Sequence, residues 1–332
     1  MKILGIGNAI VDVLCKVNDE FLQKNSLTKS TMKLVNEIEF KNLLSSVEIK
    51  ETISGGSVAN SIVGLSQLNN EVGFIGKIND DILGQKYEEG LIKEKVKYLY
   101  SKRKESLPTG TCLILITPDS ERTMCTFLGT AGKIDENDID RQAIKNSEII
   151  FLEGYLWDEG GPKKAFEKSI SEAKKVAMSL SDLFCVERHK TNFLDLVKNK
   201  LDIIFANEQE ILSLIDSKSF EEVVSTSDIV SLHLPLTPKT KNLIDKEAFK
   251  KMKPTALLIN TARGGIFNET DVLQALKLSK IGGLGIDAYV QEPPVSNDLT
   301  SLKNVICTPH IGGNSKEAVN AMGMSAIKNL NL

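Results

Sequence analysis

Hydrophobic and polar positions change rhythm several times along the chain. Lys2-Ile-Leu-Gly-Ile-Gly7 reads as a short buried strand ending in a glycine turn, and Val11-Asp-Val-Leu14 alternates as a second strand. Val58, Ile62, Leu65 and Leu68 recur at helical spacing behind Ser54-Gly55-Gly56-Ser57. Val72-Gly-Phe-Ile-Gly76 predicts a strand and 80–95 a helix with a mixed charged face. Stretches 111–117 and 122–128 predict two strands joined by the turn Pro118-Asp-Ser-Glu121. From 147 strands and helices alternate: strand 148–152, a helix near 162–175, strand 176–180, a helix near 191–199 and strand 201–206. The same rhythm returns with strand 228–234, a short helix 245–252, strand 256–260, helix 268–279, and strands 283–287 and 305–308. A closing helix is expected after Asn314, with Ala318, Met322 and Ile327 on its apolar side. Such alternation predicts an α/β fold, a parallel sheet with flanking helices.

Composition adds limits. A length of 332 residues suits two domains or one large α/β domain, with ample core. Hydrophobic content of 41% and charged content of 26% are those of a globular protein. A net charge of −3 supplies no basic field, so no nucleic-acid partner is expected. Cys15, Cys112, Cys125, Cys185 and Cys307 lack metal or redox spacing and read as buried thiols of a reducing compartment. With no export signal and no long apolar run, a cytoplasmic chain without membrane partners is expected. There is no internal repeat, and homo-oligomerisation is left open.

Some polar residues sit where chemistry could use them. Gly5-Ile-Gly7 begins like a dinucleotide fingerprint, but the third small residue is absent and a strand follows where a helix is required. Asn8 and Asp12 remain at the mouth of a strand, suited to sugar hydroxyls or to a plain turn. Gly55 and Gly56 before a helix allow close ligand approach, or simply ease the helix entry. Asn207 and Glu210, three apart after a strand, suit a ligand site at the sheet edge or an N-cap with a first-turn acid. Gly129-Thr-Ala-Gly132-Lys133 is too short for a phosphate loop.

Taken together these stretches resemble the ribokinase-like (PfkB) family of sugar and nucleoside kinases, its adenosine-kinase branch in particular. The resemblance runs from Met1 to about Glu222 through Gly7-Asn-Ala-Ile-Val-Asp12, Gly55-Gly-Ser57, Asn60, Glu153-Gly-Tyr-Leu-Trp-Asp158, Ser179-Leu-Ser-Asp-Leu-Phe-Cys-Val186 and Phe205-Ala-Asn-Glu-Gln-Glu210. It implies that Asn8, Asp12, Gly55, Gly56 and Asn60 hold a sugar or nucleoside. It also implies that Asn207 and Glu210 order magnesium and phosphate, with no metal bound directly by side chains, and that 13–35 and 111–128 form a small β lid. The family's later Gly-Ala-Gly-Asp, which supplies the anion hole and catalytic base, has no counterpart after Glu222.

The last third, 223–332, resembles the NAD-binding segment of D-2-hydroxyacid dehydrogenases of the phosphoglycerate type. Ser231-Leu-His-Leu-Pro-Leu-Thr237, Ile259-Asn-Thr-Ala-Arg-Gly-Gly265, Ile286-Asp-Ala-Tyr-Val-Gln-Glu-Pro293 and Thr308-Pro-His-Ile-Gly-Gly313 stand in family order. By that resemblance Arg263 pairs with a substrate carboxylate, His310 exchanges a proton as hydride moves, and Glu292 holds the imidazole and raises its pKa. Thr261 and Asp287 would lie against NAD, and His233 near the cofactor edge. The dinucleotide fingerprint belongs upstream, where the kinase-like stretch stands. Gly283-Leu-Gly-Ile-Asp-Ala288 matches its letters, but Tyr289 to Pro294 cannot open a helix.

The chain changes vocabulary within 218–234, without a Pro, Gly or Ser linker. The expectation is a truncated kinase domain, 1–222, joined to a partial Rossmann-like segment, 223–332. Its strands either extend the kinase sheet or form a small parallel sheet of their own. NAD, and magnesium with ATP, are the implied cofactors, with both sites incomplete. The functional expectation is recognition of a sugar or nucleoside without efficient turnover. The rivals are an NAD-dependent oxidoreductase and a non-catalytic or artefactual fusion.

Overall fold

The computed structural model describes residues 1–157, 160–215, 224–294 and 298–312. The chain divides into two compact units, Met1–Ile215 and Asp216–Leu332. Asp158, most of the helix-like run 220–224 and the helix expected after Asn314 lie outside the described residues.

The first unit runs β1 (Ile3–Ile6), β2 (Ile10–Lys16), α1 (Asp19–Lys24), β3 (Met32–Leu34), α2 (Glu37–Leu44), β4 (Ile49–Ser54), α3 (Ser57–Gln67), β5 (Val72–Ile75), α4 (Ile82–Lys93) and β6 (Lys97–Tyr98). It continues with β7 (Gly110–Ile116), β8 (Arg122–Phe127), α5 (Arg141–Lys145), β9 (Ile149–Glu153), α6 (Gly161–Glu172), β10 (Val176–Ser179), α7 (Leu183–Asn199), β11 (Ile203–Phe205) and α8 (Glu208–Ile215). Six of the strands form a parallel sheet in the order β11-β10-β9-β1-β5-β6. Its central strands β1 and β5 are buried nearly throughout, as a strand covered on both faces must be. One core packs Phe74, Tyr87 and Ile62 together; another gathers Ile6, Leu152, Phe166 and Phe193.

A second sheet, β3-β8-β7-β2-β4, mixes parallel and antiparallel pairs. It uses the segments expected to supply the lid, and adds β4, whose residues are mostly exposed and show no apolar alternation. One face is closed by Leu22, Phe40 and Leu43 against Val13, Leu115 and Cys125. The helix expected near 191–199 starts earlier, at Leu183. Asp182 caps it by accepting from the Cys185 N–H, and Cys185, Val186, Phe193 and Leu196 are its buried stripe. Non-helical backbone at His189 interrupts that stripe, which is why its periodicity shows only in the second half.

The second unit contains β12 (Ile229–Leu232), α9 (Lys246–Lys251), β13 (Leu257–Asn260), α10 (Glu269–Lys277), β14 (Gly283–Ile286) and β15 (Val305–Cys307). These strands form their own four-stranded parallel sheet, β12-β13-β14-β15, and do not extend the six-stranded one. Asp245 and Asn268 cap the two helices, each accepting from two backbone N–H groups. Among the described residues no helix is long and apolar enough to cross a membrane.

Candidate functional site

In the first unit the polar residues collect where β1 and β9 end, beside β2 and the start of α3. Parallel sheets place ligand sites at this C-terminal edge because the helices begin there. Glu153 closes β9 and is buried, 3% exposed. Its Oε2 accepts from the Asn8 N–H at 2.6 Å, and its Oε1 accepts from the Ser57 hydroxyl at 2.8 Å. Burial pushes its carboxyl from 4.5 to about 7, against the lowering effect of those two hydrogen bonds. Asp12 stands in β2, half-buried, and burial lifts it from 3.8 to about 6. A Cβ on Gly55 would collide with the Asp12 carboxylate, so only glycine lets the acid lie flat on this turn. Gly56 adopts φ +97°, and a Cβ there would meet the Asn8 carbonyl at 2.5 Å. The Gly55 N–H donates to the Ile10 carbonyl at 2.8 Å, and the Gly55 carbonyl accepts from the Tyr87 hydroxyl at 3.2 Å. Asn60 is exposed one turn into α3, its N–H bonded to the Gly56 carbonyl at 2.9 Å.

Of the sequence-derived set, the structure brings Asn8, Asp12, Gly55 and Gly56 together and leaves Asn60 exposed beside them in α3, and it adds Glu153, which residue-level reasoning did not assign. Its signal was available: an acid ending a buried parallel strand, inside a stretch that carried the family resemblance. Asp182 was missed likewise; it caps α7 and accepts from the Tyr155 hydroxyl at 2.8 Å.

Asn207 and Glu210 satisfy each other. Both Glu210 oxygens accept from Asn207, Oε1 from Nδ2 at 2.7 Å and Oε2 from the backbone N–H at 3.1 Å, while the Glu210 N–H donates to Asn207 Oδ1 at 2.9 Å. This is a capping box at the start of α8. Burial raises the Glu210 carboxyl, the Asn207 hydrogen bond lowers it, and the Asp182 charge raises it further.

In the second unit the polar residues again follow the ends of the strands. Asn260, buried at the end of β13, donates from Nδ2 to the Arg263 carbonyl at 2.9 Å and accepts from the Ala262 N–H at 3.1 Å. That clamp presents Arg263 to solvent, beside exposed Thr261. A Cβ on Gly264 would collide with the Tyr289 carbonyl. His233, Leu234, Pro235, Leu236, Ala262 and Arg263 line an open cavity of ≈ 530 Å³. His310 Nδ1 and Glu292 Oε2 lie 2.8 Å apart, and Glu292 Oε1 accepts from the Tyr289 N–H at 3.0 Å. The His310 hydrogen bond, then that of Tyr289, holds Glu292 below its usual range. Asp287 spends both oxygens on the loop after β15, accepting from Thr308 Oγ1 at 2.5 Å, the Ile311 N–H at 2.9 Å and the Gly312 N–H at 2.8 Å. Burial raises its carboxyl, but those hydrogen bonds and the His310 charge outweigh it and leave it lowered.

The family model for pfkB family carbohydrate kinases matches residues 33–236, well over half of the chain. The chain belongs to that family. Adenosine kinase from Sinorhizobium meliloti superposes with a TM-score of 0.63 at 33% identity, covering 68% of this chain and 70% of that one. A probable sugar kinase from Rhizobium etli gives 0.63 at 33%, covering 68% and 72%. A second family model, the NAD binding domain of D-isomer specific 2-hydroxyacid dehydrogenases, matches residues 202–312 of this pfkB-family chain. Glycerate dehydrogenase of Methylorubrum extorquens is 47% identical over 113 residues, 33% of this chain and 36% of that protein. D-3-phosphoglycerate dehydrogenase of Bacillus subtilis is 45% identical over 31% of this chain and 20% of that protein. The chain thus spans about a third or less of these two curated relatives.

The strand Gly283–Ile286 is followed by bends and not by a helix, and a Cβ on Gly283 would meet the Asn304 carbonyl at 2.9 Å. That glycine serves packing and leaves no cradle for a pyrophosphate. For magnesium with ATP, each Glu210 oxygen accepts one hydrogen bond from Asn207 and keeps a lone pair for a water or an ion.

Proposed function

We propose that the first unit recognises a sugar or nucleoside and that the chain as a whole turns over neither a kinase nor a dehydrogenase substrate efficiently. The cradle of Asn8, Asp12, Gly55 and Gly56 pinned by Glu153 supports this reading. Asp12 offers a carboxylate to ribose-type hydroxyls, Gly55 and Gly56 let the ligand approach the main chain, and Asn60 adds an amide at the rim. The sheet composed of β3, β8, β7, β2 and β4 acts as the lid, since Asp12 lies on it. Phosphoryl transfer depends on positioning and on charge stabilisation around the moving group. The sequence after Glu222 supplies no glycine-rich anion hole and no base, so binding is retained and turnover is not.

The His310–Glu292 pair favours a second reading, an NAD-dependent oxidoreductase of the D-2-hydroxyacid type. In that reading Arg263 orients a carboxylate and His310 exchanges the proton. The strand Gly283–Ile286, which bends away without opening a helix for a pyrophosphate, counts against it.

Thermal unfolding of the full chain with adenosine, ribose or NADH separates the two. A ligand at about a hundred times its dissociation constant adds ~2.7 kcal/mol to the folded state. Adenosine or ribose is expected to raise the midpoint, and Asp12→Ala to abolish that rise. A response to NADH alone would refute the first reading and support the second.

A further inference from the structure

The turn that carries the two cradle glycines contains one peptide with unusual freedom. Gly55 is glycine because a Cβ would collide with the Asp12 carboxylate, and Gly56 because of its φ of +97° and the nearby Asn8 carbonyl. With no Cβ on either side, sterics set the plane of the peptide between them only loosely. The peptides flanking it are held. The Gly55 N–H donates to the Ile10 carbonyl at 2.8 Å, and the Gly56 carbonyl accepts from the Asn60 N–H at 2.9 Å. Among the described residues the peptide between them has one hydrogen bond, accepted by the Gly55 carbonyl from the Tyr87 hydroxyl at 3.2 Å.

That hydroxyl comes from a fixed place. Helix α4 buries Gly84, Tyr87 and Leu91 along one stripe. The fully buried Tyr87 ring packs against Phe74 at 6.3 Å and Tyr98 at 6.1 Å between centroids. The Ser54 hydroxyl donates to the Tyr87 carbonyl at 3.1 Å, so both residues before Gly56 are tied to the same tyrosine. Glycine at position 90 permits this approach, since a Cβ there would run into Ser54 Oγ. Burial, then the charges of Glu153 and Asp12, hold the Tyr87 hydroxyl well above the usual phenol range, so it stays protonated.

We propose that Tyr87 is a positioning residue of the cradle: by holding the Gly55 carbonyl inward it turns the Gly56 N–H outward, towards a ligand hydroxyl. This role rests on the recognition of a sugar or nucleoside proposed above. The Gly55–Gly56 peptide is trans, so its N–H and C=O point in opposite directions. Tyr87 draws the carbonyl to the interior, and the amide hydrogen on the far edge of the plane faces the open side of the turn, where Gly56 is half-buried. That N–H has no partner among the described residues. Asp12, lying against Gly55, accepts no hydrogen bond among them either. One ligand hydroxyl can accept from Gly56 and donate to Asp12. Without the Tyr87 hydroxyl the Gly55 carbonyl is buried unpaired, which favours turning the peptide towards water and its N–H away from the ligand.

Calorimetric titration of adenosine and ribose into the folded full chain, with the glycine amides followed by NMR, tests this. In the wild type, binding is expected to shift the Gly56 amide and slow its exchange with solvent. Tyr87→Phe keeps the ring and removes only the donor. It should weaken binding about three- to tenfold, as expected for one neutral hydrogen bond, and shrink the Gly56 shift at saturation. Tyr98→Phe is the matched control, because its hydroxyl, in the same aromatic cluster, donates to the Gly76 carbonyl at 2.5 Å. Both variants should unfold at lower temperature, but only Tyr87→Phe should change the affinity or the Gly56 signal. Wild-type affinity in Tyr87→Phe overturns this role for Tyr87. So does equal weakening by Tyr98→Phe, or a Gly56 amide that a bound ligand leaves unmoved; in each case the recognition itself stands. A wild-type chain that binds neither adenosine nor ribose overturns the recognition and the role of Tyr87 together.

Discussion

Glu153→Gln should flatten the pH dependence of the first unit's stability. In the folded chain burial lifts this carboxyl from 4.5 to about 7. Below pH 4.5 it is neutral in both folded and unfolded chains and contributes no pH dependence. As pH rises the unfolded chain ionises first, while the folded one keeps its proton, so stability falls. Above about 7 the whole loss has been incurred. At ~1.4 kcal/mol per pH unit, the interval from 4.5 to about 7 amounts to roughly 3 kcal/mol. Glutamine has nearly the same shape and cannot ionise. Its oxygen can accept from the Asn8 N–H, and its amide can donate to the Ser57 hydroxyl oxygen. The variant should match the wild type near pH 4.5 and exceed it by ~3 kcal/mol at pH 8. For a unit of this size that is about 6–12 °C in midpoint. Fluorescence of Trp157, the sole tryptophan, isolates the first unit, because its ring packs against Phe166 and Phe193. Asp12, raised from 3.8 to about 6, adds a similar slope to both proteins and cancels in the difference. A difference between variant and wild type that is constant from pH 5 to 8 would refute the reasoning.

Two further substitutions test packing. Lys77 is 4% exposed and reaches Asp138 at 3.0 Å and Glu105 at 3.4 Å, so Lys77→Ala should cost about 3–5 kcal/mol by stranding buried charge, read by urea unfolding at Trp157. A loss below 1 kcal/mol would show that Arg103, 2.8 Å from Asp138, compensates alone. Gly264→Ala drives a methyl into the Tyr289 carbonyl and should destabilise the second unit by about 1–3 kcal/mol, seen by circular dichroism with the Trp157 transition unmoved.

Legibility in the sequence follows burial and length. Strands of the six-stranded sheet that are apolar throughout, such as Val72–Ile75, read directly, as did the helices with an unbroken stripe. Elements whose stability comes from tertiary contact did not. The strand Ile49–Ser54 is mostly exposed and exists through its ladder to β2. The strand Lys97–Tyr98 is too short to show a period. In the cradle, Asn8, Asp12, Gly55 and Gly56 were legible because two glycines next to a strand mouth signal close approach. Glu153 was legible only through the family resemblance of its stretch, because it lies 145 residues from Asn8 in sequence and a lone acid at a strand end carries no spacing signal. Asn207 and Glu210 were legible as a pair, and their reciprocal hydrogen bonds make the capping role the observed one.

Both units keep the parts of a site that local main-chain geometry can hold. A glycine turn, a capped helix start or an asparagine clamp such as Asn260 needs only its own strand and the next one. The parts that distant strands must deliver are the ones the sequence lacks: an anion hole and base after the kinase-like stretch, a pyrophosphate cradle before the dehydrogenase-like one. Ground-state recognition needs mainly the first kind. Rate acceleration needs interactions that strengthen in the transition state, and these come from the second kind. On the function proposed above, the chain should therefore lose turnover before it loses ligand.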